Sequence, residues 1–132
     1  MRSKMLIGLL IPWLGLNGAL AAEASQYAQA GISGKDEKGR VFTKEDHVKE
    51  AWKHAEAAVM AGEKGNAKGV GEHAKLARTY VEAALTQSTF DEHLTAAMKS
   101  LDRAIEQSDA GHADMARQAA QEAIDHLRAR KK

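Results

Sequence analysis

Helical periodicity is clearest in the stretch "HVKEAWKHAEAAVMAGEKGNAKGVGEHAKLARTYV", which spans residues 47–81. Alanine and valine recur in it at helical spacing, and the strong helix formers Lys, Glu and Arg fill many of the positions between them. The segment "AGEKGN" (61–66) interrupts this pattern with two glycines. The stretch therefore predicts two amphipathic helices joined by a short turn, which is a helical hairpin.

Start signals delimit the helices. Thr43 and Asp46 resemble a capping box and open the first helix, with Asp46 in place of the usual Glu or Gln. Asn66 is a suitable cap for the second helix. Thr89 and Glu92 form a second capping-box pattern, which predicts the start of the third helix.

The predicted helices each present one apolar face. The segment "SDAGH" (108–112) separates the third helix from the fourth. The residues expected to face the core are Val48, Trp52, Ala55 and Val59; Val70, Ala74, Ala77 and Val81; Leu94, Met98, Leu101 and Ile105; and Ala116, Ala120, Ala123 and Leu127.

The second hairpin repeats the first with a shift of 46 residues, which places His47 on His93 and Gly65 on Gly111. Short connections make consecutive helices antiparallel, and each hairpin needs a partner to bury its alanine-rich face. The sequence therefore predicts an all-α fold, an up-down-up-down antiparallel four-helix bundle made of two repeated helical hairpins over residues 43–130.

The N-terminus has the pattern of a secretory signal. Arg2 and Lys4 precede an apolar run of 12 residues (5–16), and Ala19-Leu20-Ala21 is a suitable cleavage site. The run is short and contains Pro12, so it is a poor membrane span. We expect residues 1–21 to be a signal peptide, residues 22–42 a flexible leader, and the mature protein to be periplasmic and free of the membrane.

Composition excludes several classes of protein. Without residues 1–21 the chain has 17 Lys and Arg against 18 Asp and Glu, so no basic excess suggests a nucleic-acid partner. The chain has no cysteine, which removes disulfides, thiolate metal ligands, covalent haem attachment and cysteine nucleophiles. No spacing of a nucleophile and a base points to catalysis, and we expect the protein not to be an enzyme.

The histidines follow a seven-residue step within the predicted helices. Seven residues are nearly two helical turns, so each helix presents these positions on one stripe. The six histidines, all candidate metal ligands, are His47, His54, His73, His93, His112 and His126.

Antiparallel pairing predicts which of these residues meet. If the first turn centres near residues 63–64, His54 faces His73 and His47 faces Tyr80. In the second hairpin the same reasoning pairs His93 with His126. Acidic residues immediately precede four of the histidines and could accept a ring N–H or supply an oxygen ligand; they are Asp46, Glu72, Glu92 and Asp125.

Neutral imidazole is a good ligand for copper(II), nickel(II) and zinc(II), and two or three imidazoles with water or carboxylate can complete a coordination shell. Histidines on repeated stripes therefore indicate metal binding. The alternative interpretation is that they are polar residues at the border between the core and the solvent.

Two stretches, "HAEAAVMAGEKGNAKGVGEHAK" (54–75) and "ARQAAQEAIDHLRA" (116–129), resemble the bacterial small metal-binding protein family. The resemblance covers roughly residues 45–130. It implies a periplasmic four-helix bundle with histidines at a seven-residue repeat that binds divalent metals, copper especially, for storage or tolerance. Members of that family are richer in histidine. Here the equivalent positions also include Ala61, Asn66, Tyr80, Ser100, Gln107 and Ala119, which implies fewer metal sites.

Two other functions compete with metal binding. A periplasmic bundle that has lost most metal binding could dock another protein, with Trp52, Tyr80 and Met98 as anchors, although residues at this spacing are more often core. A bundle that holds b-type haem is the third alternative, because Met and His can both be axial ligands. The sequence carries no distinctive haem signature.

Overall fold

A computed structural model describes residues 39–87 and 90–130 of the chain. Four α-helices make up most of the described residues: α1 (Lys44–Glu63), α2 (Ala67–Thr86), α3 (Glu92–Asp109) and α4 (Ala113–Ala129). The predicted signal peptide and residues 22–38 of the predicted leader lie outside the described residues.

The helices form the predicted all-α bundle. Each helix contacts its neighbours in the chain, α1 closes the bundle by packing against α4, and α2 also contacts α4 across the diagonal. Helices joined by short turns run antiparallel, so the direction alternates from α1 to α4. In the part of the chain that the structure describes, no helix is long and apolar enough to cross a membrane.

Both hairpins turn in the same way. Gly65 follows α1 with a φ of 72°, and Gly111 follows α3 with a φ of 81°, a backbone conformation that favours glycine. After α1, the N–H of Gly65 donates to Gly62 O and the N–H of Asn66 donates to Ala61 O. Corresponding bonds end α3, so the predicted repeat recurs as a repeated Schellman turn.

Two of the predicted caps are confirmed and one is wrong. The hydroxyl of Thr43 accepts a hydrogen bond from the N–H of Asp46 in a complete capping box, and Asn66 accepts one from the N–H of Gly69. The third helix is capped by Asp91, whose carboxylate accepts from the N–H groups of His93 and Leu94 at 3.1 Å. Thr89, which the capping-box pattern had assigned to this position, lies outside the described residues.

The core is built mainly from alanine. All the predicted core-facing residues of α2 and α4 are buried, as are Val48, Ala55, Leu94 and Leu101. Trp52, Val59, Met98 and Ile105 are partly buried and pack against this core. Since alanine removes little apolar area from water, each larger core side chain carries a large share of the burial energy.

A cluster of charged groups joins three helix ends. Arg130 donates from Nε to Asp91 at 2.8 Å and forms an ion pair with Glu45 at 3.1 Å, while Lys44 lies 3.2 Å from Asp91. Arg130 and Asp91 are about nine-tenths buried, with side chains 10% and 12% exposed. This cluster therefore connects the N-terminal end of α1 to the start of α3 and the end of α4.

A candidate metal site on the first hairpin

Five aromatic rings follow one another along the first hairpin through three stacked contacts and one tilted contact, and we call this row the ring ladder. Phe42 stacks on His47 with ring centroids 5.7 Å apart, and His47 lies 6.4 Å from Tyr80. Tyr80 stacks on His54 at 5.6 Å, and His54 stacks on His73 at 5.9 Å. Three of the six histidines therefore lie in a single structural feature.

Helical spacing explains the ladder. His47 and His54 are seven residues apart on α1, and His73 and Tyr80 are seven apart on α2, so each pair lies on one stripe of its helix. Antiparallel packing then sets His54 against His73 and His47 against Tyr80. Both of these predicted contacts are confirmed.

His47 is the most enclosed histidine. It is fully buried, and neither Nδ1 nor Nε2 has a hydrogen-bond partner among the described residues. Burial lowers the pKa of His47, and the nearby negative charge of Asp46 only partly opposes this effect. The imidazole is therefore neutral near pH 7, and it packs as a ring between Phe42 and Tyr80.

His54 and His73 are half-buried and more accessible. Burial is the main cause that lowers the pKa of His54, and the charge of His73 lowers it further. Glu50 raises this pKa, but its carboxylate also accepts a hydrogen bond from Lys53 at 2.7 Å. Nδ1 of His73 is buried and has no hydrogen-bond partner within the described part of the chain. The pair thus combines a lowered pKa at His54 with a buried nitrogen of His73 that has no partner among the described residues.

The geometry of this pair suits a transition-metal ion. An ion lies about 2.0–2.1 Å from each ligating imidazole nitrogen, so two nitrogens that share it are at most about 4 Å apart. Ring centroids 5.9 Å apart put that spacing within reach once the rings turn so that their in-plane lone pairs point at one ion. No group of three or more His, Asp or Glu side chains within residues 39–87 and 90–130 is arranged to hold a metal. The described residues thus offer two close candidate ligands, and water could complete a coordination shell.

The other three histidines are not brought together. No ring contact joins His93 and His126 in the described part of the chain; the side chain of His93 is 39% exposed and its Nε2 lies 3.9 Å from Glu92. His112 is exposed at the start of α4, where its Nδ1 lies 3.0 Å from Oε1 of Gln107. Metal binding by these three residues stays a prediction from the sequence.

The acidic residues next to the histidines have other roles in two cases. Asp46 accepts hydrogen bonds from both the N–H and the hydroxyl of Thr43 and so belongs to the cap of α1. Asp125 accepts a hydrogen bond from Gln121 at 3.4 Å. Glu72 and Glu92 are exposed to solvent. An oxygen ligand from these residues stays a prediction from the sequence.

Two members of the ring ladder, Phe42 and Tyr80, were not among the predicted metal ligands. Phe42 belongs to the predicted leader, yet its ring covers His47 and its carbonyl oxygen accepts a bond from Gln87 at 3.5 Å. Tyr80 was predicted to face His47 only, yet its ring is nearly parallel to His54, with an interplanar angle of 7°. The seven-residue spacing could have indicated the role of Tyr80, because it places Tyr80 at a position equivalent to those of the histidines.

A helical bundle with paired imidazoles is consistent with a metal-binding protein. The comparison with known families agrees. Residues 37–130 match the model of the small metal-binding protein family. This match covers most of the chain, so the protein belongs to the small metal-binding protein family, as the resemblance in the sequence implied. No curated protein matches the chain.

Proposed function

We propose that this protein binds a divalent transition-metal ion, copper foremost, through the paired imidazoles of His54 and His73. The observation that carries the proposal is the stacked pair itself, 5.9 Å between ring centroids, with the buried Nδ1 of His73 left without a partner. Buried polar atoms usually have a hydrogen-bond partner, and a bound water, an ion or a ligand can supply one to an atom that lacks it.

The charge state of the pair favours metal at neutral pH. A metal competes with protons for imidazole nitrogens, and the lowered pKa of His54 keeps its ring unprotonated to a more acidic pH than a solvent-exposed histidine. On nitrogen and oxygen ligands divalent ions follow the Irving–Williams order, so copper(II) should bind more tightly than nickel(II) or zinc(II).

A two-imidazole site is suited to buffering. Water completes the coordination shell in this arrangement, so the ion stays exchangeable and is not locked in a closed cage. The basic start, short apolar run and Ala-Leu-Ala site of residues 1–21 support export, and we place this buffering in the periplasm. Intact-mass measurement of the exported protein tests the location. It should begin near Ala22, and a retained N-terminus in the membrane fraction contradicts export.

Isothermal titration of the exported protein with copper(II), nickel(II) and zinc(II) at about pH 7.5, where imidazole is neutral, tests the function. We expect saturable uptake, tightest for copper, and a large loss in His54→Ala and in His73→Ala. The double variant should lose little more than either single variant, since two ligands of one ion are energetically coupled. His112→Ala is the control, because this exposed residue lies outside the ladder and its side chain caps no helix.

Absence of stoichiometric uptake, together with a melting temperature that copper does not change, contradicts the proposal. A metal that favours the folded state must raise the melting temperature. That result would leave the interaction-module alternative. Simply additive effects of the two single substitutions would show that His54 and His73 do not share an ion.

A further inference from the structure

Tyr80 occupies the centre of the ring ladder. Its ring lies between two imidazoles, 5.6 Å from the centroid of His54 and 6.4 Å from that of His47. The residue is 7% exposed, so α1 and α2 hold the ring in a fixed place. Its contact with His54 is the closest and the most nearly parallel of the ladder, with an interplanar angle of 7°.

The imidazole of His54 has no hydrogen bond to orient it within the described part of the chain. Histidines that bind metals usually donate the second ring N–H to a carboxylate or a carbonyl, and this bond fixes the plane of the ring and its tautomer. The rings of Tyr80 and His73 both stack on His54, and within the described residues these ring contacts constrain its plane.

From this geometry we infer that Tyr80 is a positioning residue for the metal site: the face of its ring limits the orientations of His54 and holds the imidazole beside His73, where the two can share an ion. The inference rests on the proposed metal binding at this pair. Parallel offset rings attract each other beyond the area that they bury, and this attraction favours one orientation of the half-buried His54 side chain.

The rest of the ladder supports Tyr80 from the other side. His47 is fully buried against the Tyr80 ring, and Phe42 covers His47 in turn. A displaced Tyr80 ring would therefore have to move two packed rings with it. In this arrangement the stack of Phe42, His47 and Tyr80 does for His54 what a hydrogen-bonded carboxylate does in other metal sites.

Two substitutions test the ring of Tyr80 and its hydroxyl group separately. Tyr80→Phe keeps the stacking face, so copper(II) affinity and the electron paramagnetic resonance spectrum of the bound ion should match those of the wild type. Tyr80→Leu removes the face, so affinity should fall on the order of tenfold, as it does when an orienting partner of a ligand is lost. The copper spectrum should change as well, because a free imidazole coordinates at a different angle.

Trp52→Leu is the matched control. Trp52 lies on α1 and its ring is outside the ring ladder. Its side chain donates a hydrogen bond to Glu56 and packs on Arg128. This variant should lower the melting temperature and leave copper affinity and the copper spectrum unchanged. If Tyr80→Leu does not give a helical circular-dichroism spectrum, the same comparison is made with Tyr80→Gln, which keeps a strong helix former but has no ring.

Each outcome decides the inference. Wild-type affinity and spectrum in the ringless variant overturn it, although copper uptake by the wild type would still stand. A loss in Tyr80→Phe as large as that in Tyr80→Leu also overturns it, because the hydroxyl would then be the functional group. If the wild type takes up no copper, the proposed function itself fails, and the positioning role falls with it.

Discussion

The two hairpins have the same backbone plan and different chemistry. They align with a shift of 46 residues, and both turn through a positive-φ glycine, Gly65 in the first and Gly111 in the second. The slots of His54 and His73 in the first hairpin correspond to Ser100 and Ala119 in the second. One hairpin therefore carries a pair of imidazoles where the other carries two small side chains.

The two pairs of equivalent positions also differ in burial. Ser100 and Ala119 are each 2% exposed, whereas His54 and His73 remain half-buried. Inserting imidazoles at the small sites would overfill a packed region, which typically costs about 1–3 kcal/mol. The repeat thus shows that the same hairpin backbone forms with either set of side chains, and that the two hairpins differ at the two positions of the proposed site.

The equivalent residues His47 and His93 differ in the opposite sense. His47 is fully buried under Phe42, and the side chain of His93 is 39% exposed. A position that aligns in the repeat therefore has a different environment in each hairpin. The ladder belongs to the first hairpin, and so does the proposed metal site.

The largest expected effect comes from giving the first hairpin the residues of the second. The double substitution His54→Ser with His73→Ala removes both proposed ligands and should weaken copper(II) affinity by on the order of 100-fold or more, measured by isothermal titration. The fold should persist, because the second hairpin packs with these residues. The matched control, His93→Ala with His126→Ala, should keep wild-type affinity. The reverse pattern would place the site on the second hairpin.

The two hairpins also differ in how their first helices are capped, and substitution of the two capping residues tests this difference. Burial raises the pKa of Asp91, but hydrogen bonds from Arg130, the Leu94 N–H and Lys44 lower it more, to about 2. That shift corresponds to about 2 kcal/mol of stability, since one pKa unit is worth about 1.4 kcal/mol. Asp91→Ala should therefore lower the free energy of unfolding by about 2 kcal/mol in urea denaturation.

Thr43→Ala in the first hairpin is the comparison for this variant, and it should cost about 1 kcal/mol, as an exposed cap does. Equal losses at Thr43 and Asp91 would show that the ion pair with Arg130 adds nothing. Because the folded-state pKa of Asp91 is lowered, its contribution is present above about pH 4 and is lost as the pH falls toward about 2.

A smaller effect separates the buried His47 from the exposed His93. Burial lowers the pKa of His47, so the unfolded state binds its proton more readily than the folded state. Stability of the metal-free protein should be level above about pH 6.5 and should fall below it, by at most about 1.4 kcal/mol per pH unit for this group.

His47→Phe should remove this part of the slope and keep the ladder stacked, as measured by urea denaturation at several pH values with a chelator present. His93→Phe is the matched control and should keep the slope of the wild type. An unchanged slope in His47→Phe would show that His47 does not titrate with the fold.

Much of the fold could be predicted from the sequence because local signals determine it. Apolar spacing identified the buried faces of α2 and α4, and the caps at Thr43 and Asn66 follow from single side chains that bond to nearby N–H groups. The start of α3 was misjudged because a capping-box pattern and Asp91 lie within the same few residues, and Asp91 is the N-cap, whose carboxylate accepts from two N–H groups.

The site was predictable only in part. The pairing of His54 with His73 follows from the position of the turn, because each step along α1 is matched by one step back along α2. Phe42 could not be placed this way, because it precedes α1 and has no helical period. The contact of Tyr80 with His54 is diagonal, so it depends on side-chain directions that residue spacing does not give.

The most direct test of the central claim is a zinc(II) titration followed by proton–nitrogen correlation spectra of the histidine side chains. Zinc is diamagnetic, so each imidazole reports its own state. The account predicts that the signals of His54 and His73 shift together and saturate at the same zinc concentration, while those of His93, His112 and His126 stay in place. Shifts of His93 and His126 without His54 and His73, or equal shifts of all the exposed histidines without saturation, would contradict it.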